Sequence, residues 1–385
     1  MNIKSISSSK PIHKVIPIIQ GMIVMQFQNM GAIPGLFGDA GIGKTANIEK
    51  LCSEQNWNLL NIHYGLKPLE EISGLPDFGT TVKIGETNIK KTHWTLPDIL
   101  GDAYELASNG LPLVIFLDDF HTASPGNMAL GYEMFTSKKL RGYPFPEKTA
   151  FILAANTSGS KSLANVIPSP IINRIAKFEV TIDFNYWKEN YAIPNKINSK
   201  ILAFLTNEKY NRYFQTEEIV NEPWCSARSW TNFSILFSAL ETYNKEYLNN
   251  IDPYYIAKAF LDEEAALVFA RYYYLFNEID FKRIFEDEQI NIPEKLESQL
   301  VLIFGAIEYL IQHKNYNNDI KILSKLILEI GAENPEIAIS GLKEIALIQK
   351  SMKMKTNIYQ LIISNMKEIN FEKASDLLSK INILI

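Results

Sequence analysis

The sequence runs to 385 residues, which at roughly 100–200 residues per domain allows two or three domains. An apolar fraction of 46% is ample for a buried core, and 21% charged residues is ordinary for a globular chain. The formal net charge of −5 lacks the overall basic character that marks a nucleic-acid binder, although it leaves room for a local basic channel.

In chain order, the apolar run from Val15 to Phe27 comes first. Gln20 and Gln26 interrupt it, it is too short to span a membrane, and no signal-peptide cleavage pattern follows. It reads as a buried helix with Pro17 near its start. From Ile33 to Ile182 the pattern alternates strand and helix. Ile33 to Phe37 is a short apolar run ending at a glycine, followed by a helix from about Gly43 to Glu54 and a strand from Asn58 to His63. Leu96 to Ser108 reads as a helix with Pro97 in its first turn. Leu113 to Leu117 is a continuous apolar run, as expected of a strand buried on both faces. Ser124 to Thr136 reads as a helix with Pro125 at its start, and Thr149 to Ala155 and Ile175 to Ile182 as strands. This alternation predicts an α/β fold, a parallel sheet covered by helices on both faces.

Two stretches break the rhythm. Phe78 to Thr95 places β-branched residues on both sides of Gly85-Glu86, a hairpin pattern, and Lys138 to Lys148 carries Gly142, Pro144 and Pro146 before a strand. After Asp183 no strand is expected. Apolar residues recur at helical spacing to the end, over Leu300–Ile311, Ile320–Ile330, Ile337–Ile348 and Ile358–Ile369. Glu286 to Pro293 is polar enough to be a boundary, and the aromatic run Tyr272 to Phe276 reads as core. The two cysteines, Cys52 and Cys225, have no metal-like spacing and read as free thiols in a reducing cytoplasm.

Gly38-Asp39-Ala40-Gly41-Ile42-Gly43-Lys44-Thr45 matches the phosphate-binding loop G-x-x-x-x-G-K-[ST] in full. Its glycines let backbone N–H groups turn inward onto phosphate oxygens, and the helix that follows adds its positive N-terminal end. Lys44 is expected to reach the β- and γ-phosphates of a nucleoside triphosphate and Thr45 to ligate Mg²⁺. Val114 to Leu117 places Asp118 at a strand end as the second metal ligand and Asp119 as the residue that polarises the attacking water.

From about residue 12 to residue 240 the chain resembles AAA+ ATPases, and specifically their MoxR-like branch, common in bacteria and phages. Glu70 to Pro76 and Trp94 to Pro97 resemble the segments that open and close an insertion in the second helix. Gly142 to Pro146 is similar to the hairpin before the next strand, and Ile152 to Asn156 to the sensor-1 strand. Ile172-Asn173-Arg174 resembles the arginine-finger segment, and Ser226 to Trp230 the sensor-2 segment of the lid. The resemblance implies a nucleotide-binding core (1–182) with an insertion (about 66–95) and a hairpin (about 138–148), then a helical lid (183–288); beyond it, the helical spacing over 289–385 reads as a C-terminal bundle that stabilises the lid or serves as an oligomerisation or client-docking collar. It implies that Asn156 orients water against the γ-phosphate, Arg174 acts on a neighbour's nucleotide, and Arg228 contacts the γ-phosphate of its own subunit. Two of the six arginines thus fall at motif positions. It also implies a cytoplasmic homo-oligomer, a hexameric ring, hydrolysing ATP to remodel a protein client or a partner bearing a von Willebrand A domain on a separate chain.

The sequence departs from the family at three places. Asp119 stands where Glu is usual, one methylene shorter, which allows slow turnover or use as a nucleotide switch. Ala227 replaces a common Pro, and Ile175 a typical Phe. A nucleic-acid motor or loader, clamp-loader-like or McrB-like, is the competing reading, with Lys83, Lys90, Lys91, His93 and Trp94 on the hairpin meeting a backbone and a base. A nucleotide-gated scaffold with weak hydrolysis is the third.

Overall fold

The computed structural model describes residues 9–156, 165–207, 209–218, 221–243, 252–288, 290–313, 316–351 and 357–381. The chain forms two compact units, Met1–Asp183 and Phe184–Ile385. In the first, six strands form one sheet: β1 (Lys10–Pro11), β2 (Ile33–Phe37), β3 (Asn58–His63), then β8 (Leu113–Asp118), β11 (Thr149–Ala155) and β12 (Ile175–Thr181). Between β3 and β8 lie the short strands β4 (Pro76–Asp77), β5 (Thr81–Ile84), β6 (Thr87–Lys90) and β7 (His93–Trp94), and before β11 lie β9 (Lys139–Leu140) and β10 (Tyr143–Pro144). The sheet order is β1-β12-β2-β11-β8-β3, and every pair in it is parallel.

Strand side chains alternate between faces, so a strand buried on both sides feeds two cores. Val114 and Phe116 of β8 and Ala150, Ile152 and Ala154 of β11 face one core, closed by helices α1 (Ile12–Phe27) and α2 (Lys44–Gln55). Leu113, Ile115 and Leu117, with Phe151 and Leu153, face the other. There Ile72 of α3 (Leu69–Ser73), Ile99 and Leu100 of α4 (Asp98–Ala107), and Met128 and Met134 of α5 (Pro125–Ser137) cover them.

Helix α1 differs from its sequence reading in two respects. Pro17 lies inside the helix rather than near its start, and Ile18, Val24 and Met25 are exposed, so only one stripe is buried. Gln26, an interruption in the apolar run, is 1% exposed. Its Nε2 donates to Phe151 O and its Oε1 accepts from Phe151 N, both at 2.9 Å. The β2–β11 pairing begins at Leu153 and Gly35, so this amide satisfies the Phe151 backbone two residues before that pairing starts.

Both interruptions are antiparallel ribbons. Strands β5 and β6 pair across Gly85-Glu86, with Val82 opposite Ile89 and both exposed, and β4 pairs with β7 at the base. Gly74 (φ +71°) lets the chain pass Thr95, whose carbonyl oxygen would lie 2.5 Å from any Cβ there. Strands β9 and β10 form the second ribbon.

Among its described residues the second unit holds helices and no strand, and the sequence-read apolar runs fall in helices Leu296–His313, Tyr316–Glu333, Pro335–Ser351 and Ile358–Ile369, followed by Phe371–Ile381. Ile284 and Phe285 pack into the core of these helices, so the polar stretch after them does not separate two cores. Tyr272, Tyr273 and Phe276 are buried, as core residues should be. Cys52 and Cys225 are buried free thiols, and burial pushes the Cys52 thiol up to about 12. Among the described residues no helix is long and apolar enough to cross a membrane.

Candidate functional site

In a parallel sheet all strands end on the same edge, and the loops leaving that edge can converge. Gly38–Gly43 leaves β2 there, Asp118 closes β8, and Asn156 follows β11, which lies between them. Gly38 N donates to Ala155 O, and a Cβ on Gly38 would lie 2.4 Å from Val180 O, so the loop needs glycine to turn against β12. Gly41 and Gly43 adopt positive φ of 79° and 87°. Gly43 caps α2 and offers no side chain to its first-turn N–H groups, which leaves them for an anion.

Lys44 is 8% exposed. Its Nζ donates to Gly38 O at 2.6 Å, Asp39 O at 2.9 Å and Asn156 Oδ1 at 3.1 Å. Thr45 Oγ1 donates to Asp118 Oδ2 at 2.6 Å, and Asp118 Oδ1 accepts from Asp119 N at 2.9 Å. Two hard oxygen donors side by side at the end of a phosphate cradle suit Mg²⁺, which binds through one or two protein groups and completes its shell with phosphate and water. Thr45 and Asp118 would hold the ion, and Lys44 with the α2 N-terminus the phosphates.

Asp119 takes left-handed backbone angles (φ 52°, ψ 36°), a conformation that Asp tolerates better than most residues. Thr122 Oγ1 donates to Asp119 O at 2.9 Å, and Gly65 makes room for this turn, because a Cβ there would lie 1.7 Å from Thr122 Oγ1. This strained corner directly follows Asp118, so Asp119 sits next in the chain to the Thr45–Asp118 pair.

His121 is a residue that the sequence reading missed. It is 3% exposed, and its Nδ1 accepts from Asn156 N at 3.3 Å. A lone histidine after an acidic pair carries no pattern; only the fold brings it to the end of β11.

Arg174 lies at the other edge. It precedes Ile175, the β12 residue paired with Ile33 at the start of β2. The phosphate loop follows the far end of β2, about 20 Å away at roughly 3.3 Å per strand residue. That is farther than an arginine side chain extends. The Arg174 guanidinium lies 4.4 Å over the Tyr132 ring and donates to Pro170 O at 2.9 Å. Arg228, in the second unit, is exposed at the start of the helix Ala227–Tyr243, beside Trp230, which is fully buried and donates to Tyr213 O at 2.8 Å.

Trp94, which the nucleic-acid reading would stack on a base, is already engaged. The Arg141 guanidinium sits 3.9 Å over its ring, and Tyr143 OH donates to its carbonyl at 2.8 Å.

No family model matches the chain, and no curated protein matches it. Among solved structures, a point mutant of Thermotoga maritima RuvB aligns over 91% of this chain and 87% of that one, at 14% identity and a TM-score of 0.31. So loose a superposition carries no argument about either fold or function. The topology carries the fold class by itself: an α/β parallel sheet core with a phosphate-binding loop and helices on both faces, followed by a helical region.

Proposed function

We propose that this chain is a MoxR-like AAA+ ATPase that binds and hydrolyses ATP with Mg²⁺ in a ring oligomer and uses the cycle to remodel a protein partner. The observation that carries the reading is the split of its machinery: Lys44, Thr45, Asp118 and Asn156 meet at one edge of the sheet while Arg174 stands at the other. Bound Mg-ATP would supply the electrophilic γ-phosphoryl group. Thr45 and Asp118 would hold the ion, and Lys44 would neutralise charge on the β- and γ-oxygens. Asp119 would accept the proton of the attacking water, and Asn156 would orient that water. Arg174 would serve the site of an adjacent copy, and Arg228 would act from the lid. A hexamer, a cytoplasmic setting and a client or von Willebrand A domain partner on a separate chain belong to the same reading.

The test is ATPase rate per chain against protein concentration, with Arg174→Ala titrated into the wild-type protein. A rate that rises on assembly and falls on mixing supports the ring. A dilute monomer at full rate refutes it. The short Asp119 side chain favours a second reading, a nucleotide-gated scaffold. Tight Mg-ATP binding with background phosphate release, restored by Asp119→Glu, would select it. The engaged ring of Trp94 weighs against the nucleic-acid reading.

A further inference from the structure

His121 is one of several buried side chains of the first unit with a polar atom, here Nε2, that has no hydrogen-bond partner among the described residues. Leaving such an atom unpaired costs on the order of 1–3 kcal/mol, so a histidine there needs a return elsewhere. Its other contacts indicate the return. Nδ1 accepts from the backbone N–H of Asn156, and the His121 carbonyl accepts from Asn165 N at 2.8 Å. One residue thus fastens both the end of β11 and Asn165. Asn156 in turn holds Lys44 through its Oδ1.

We propose that His121 is a positioning residue, whose Nδ1 fixes Asn156 against Lys44 so that the amide and the ammonium meet the γ-phosphate together. This rests on the ATPase reading above. An acceptor role for Nδ1 requires a neutral ring with its proton on Nε2. Burial lowers the imidazole pKa, and Lys44 adds to that, while Asp119 and Asp118 pull the other way. The neutral tautomer then carries its proton on Nε2 and leaves Nδ1 to accept from Asn156.

Chemistry distinguishes a positioning role from simple space-filling. Asparagine places an acceptor oxygen where Nδ1 stands, whereas leucine fills the volume and accepts nothing. In the full-length chain, His121→Leu is expected to lower kcat about 10-fold or more with KM within about threefold, since small misplacements at a reacting centre act mainly on turnover. His121→Asn is expected to recover kcat to within about threefold of wild type. His121→Leu combined with Asn156→Ala is expected to be no slower than Asn156→Ala alone, because the two act in one chain of contacts. His121→Leu turning over at the wild-type rate, His121→Asn as impaired as His121→Leu, or losses that add in the double variant would each overturn the proposal. Should His121→Leu fail to fold, His121→Gln takes its place, since its longer side chain puts the oxygen near Nε2 instead. If the wild-type chain binds Mg-ATP without turnover, the ATPase reading alone falls. The ratio of Mg-ADP to Mg-ATP dissociation constants then serves as the readout: His121→Leu should drive it to the Asn156→Ala value, and a ratio that stays at the wild-type value overturns the proposal.

Discussion

Replacing Gln26 with methionine removes an amide of similar length and leaves the surrounding packing volume nearly unchanged. Two hydrogen bonds of 2.9 Å are lost, and both partners are backbone atoms of Phe151, a fully buried residue of a central strand. Water cannot reach them, so each carries its own desolvation penalty of about 1–3 kcal/mol. Partial relaxation of α1 brings the expected total to about 2–5 kcal/mol. Because β11 carries Asn156 at its far end, the loss bears on the site as well as on stability. Amide hydrogen exchange followed on a peptide spanning residues 149–155 isolates this strand from the rest of the chain. At about 1.4 kcal/mol per factor of ten, exchange there should accelerate at least about 30-fold, while peptides from the second unit keep their wild-type rates. Acceleration below about threefold would show that the amide pair contributes little and that α1 is held by its apolar stripe alone.

Two further predictions concern charge. Burial lowers the His121 pKa below its ordinary value of 6.5, so under acid the unfolded state binds a proton that the folded state resists. Stability is then full above about pH 6.5 and lost as the pH falls towards the lowered value, and His121→Asn should flatten that part of the urea-midpoint profile; identical profiles would refute it. In the second unit the Lys188–Glu344 pair has side chains only 3% and 7% exposed, with Thr206 Oγ1 accepting from Lys188 at 2.9 Å. Lys188→Met should destabilise by about 3–5 kcal/mol in urea unfolding, whereas Lys188→Met with Glu344→Leu should cost much less, because the lone buried charge is the expensive state; a single-variant loss under about 1 kcal/mol would refute it.

Much of the first unit could be read from local pattern. The strands at Ile33, Asn58, Leu113 and Thr149 are continuous apolar or β-rich runs punctuated by glycine and acid, and their observed limits match the readings closely. The phosphate loop is legible because its chemistry demands a fixed spacing. Other features are long-range and leave no local trace. The two-residue strand β1 exists only because Val180 and Thr181 pair with it. Gln26 looks like a flaw in an apolar face until Phe151 arrives beside it. Trp94 reads as a free ring until Arg141, from another ribbon, covers it. His121 and Asn156 are 35 positions apart, and nothing in either neighbourhood announces the other. Likewise, sequence order does not say that β11 lies between β2 and β8, yet that order brings the amide of Asn156 to Lys44.

The ribbon between β3 and α4 has a closed base. Thr95 N donates to Leu75 O at 2.8 Å, Leu75 N donates to Thr95 Oγ1 at 2.9 Å, and β4 and β7 continue the pairing. The chain therefore leaves and re-enters the core through a single doorway, and the span between is a cassette. Lengthening it, shortening it or grafting a different hairpin onto Pro76 and Trp94 changes what the protein presents to its surroundings. The loop-closure term moves by only about 0.6 kcal/mol per doubling of length. Such a fold can vary this ribbon independently of the sheet edge that carries the phosphate loop, both in evolution and on the bench.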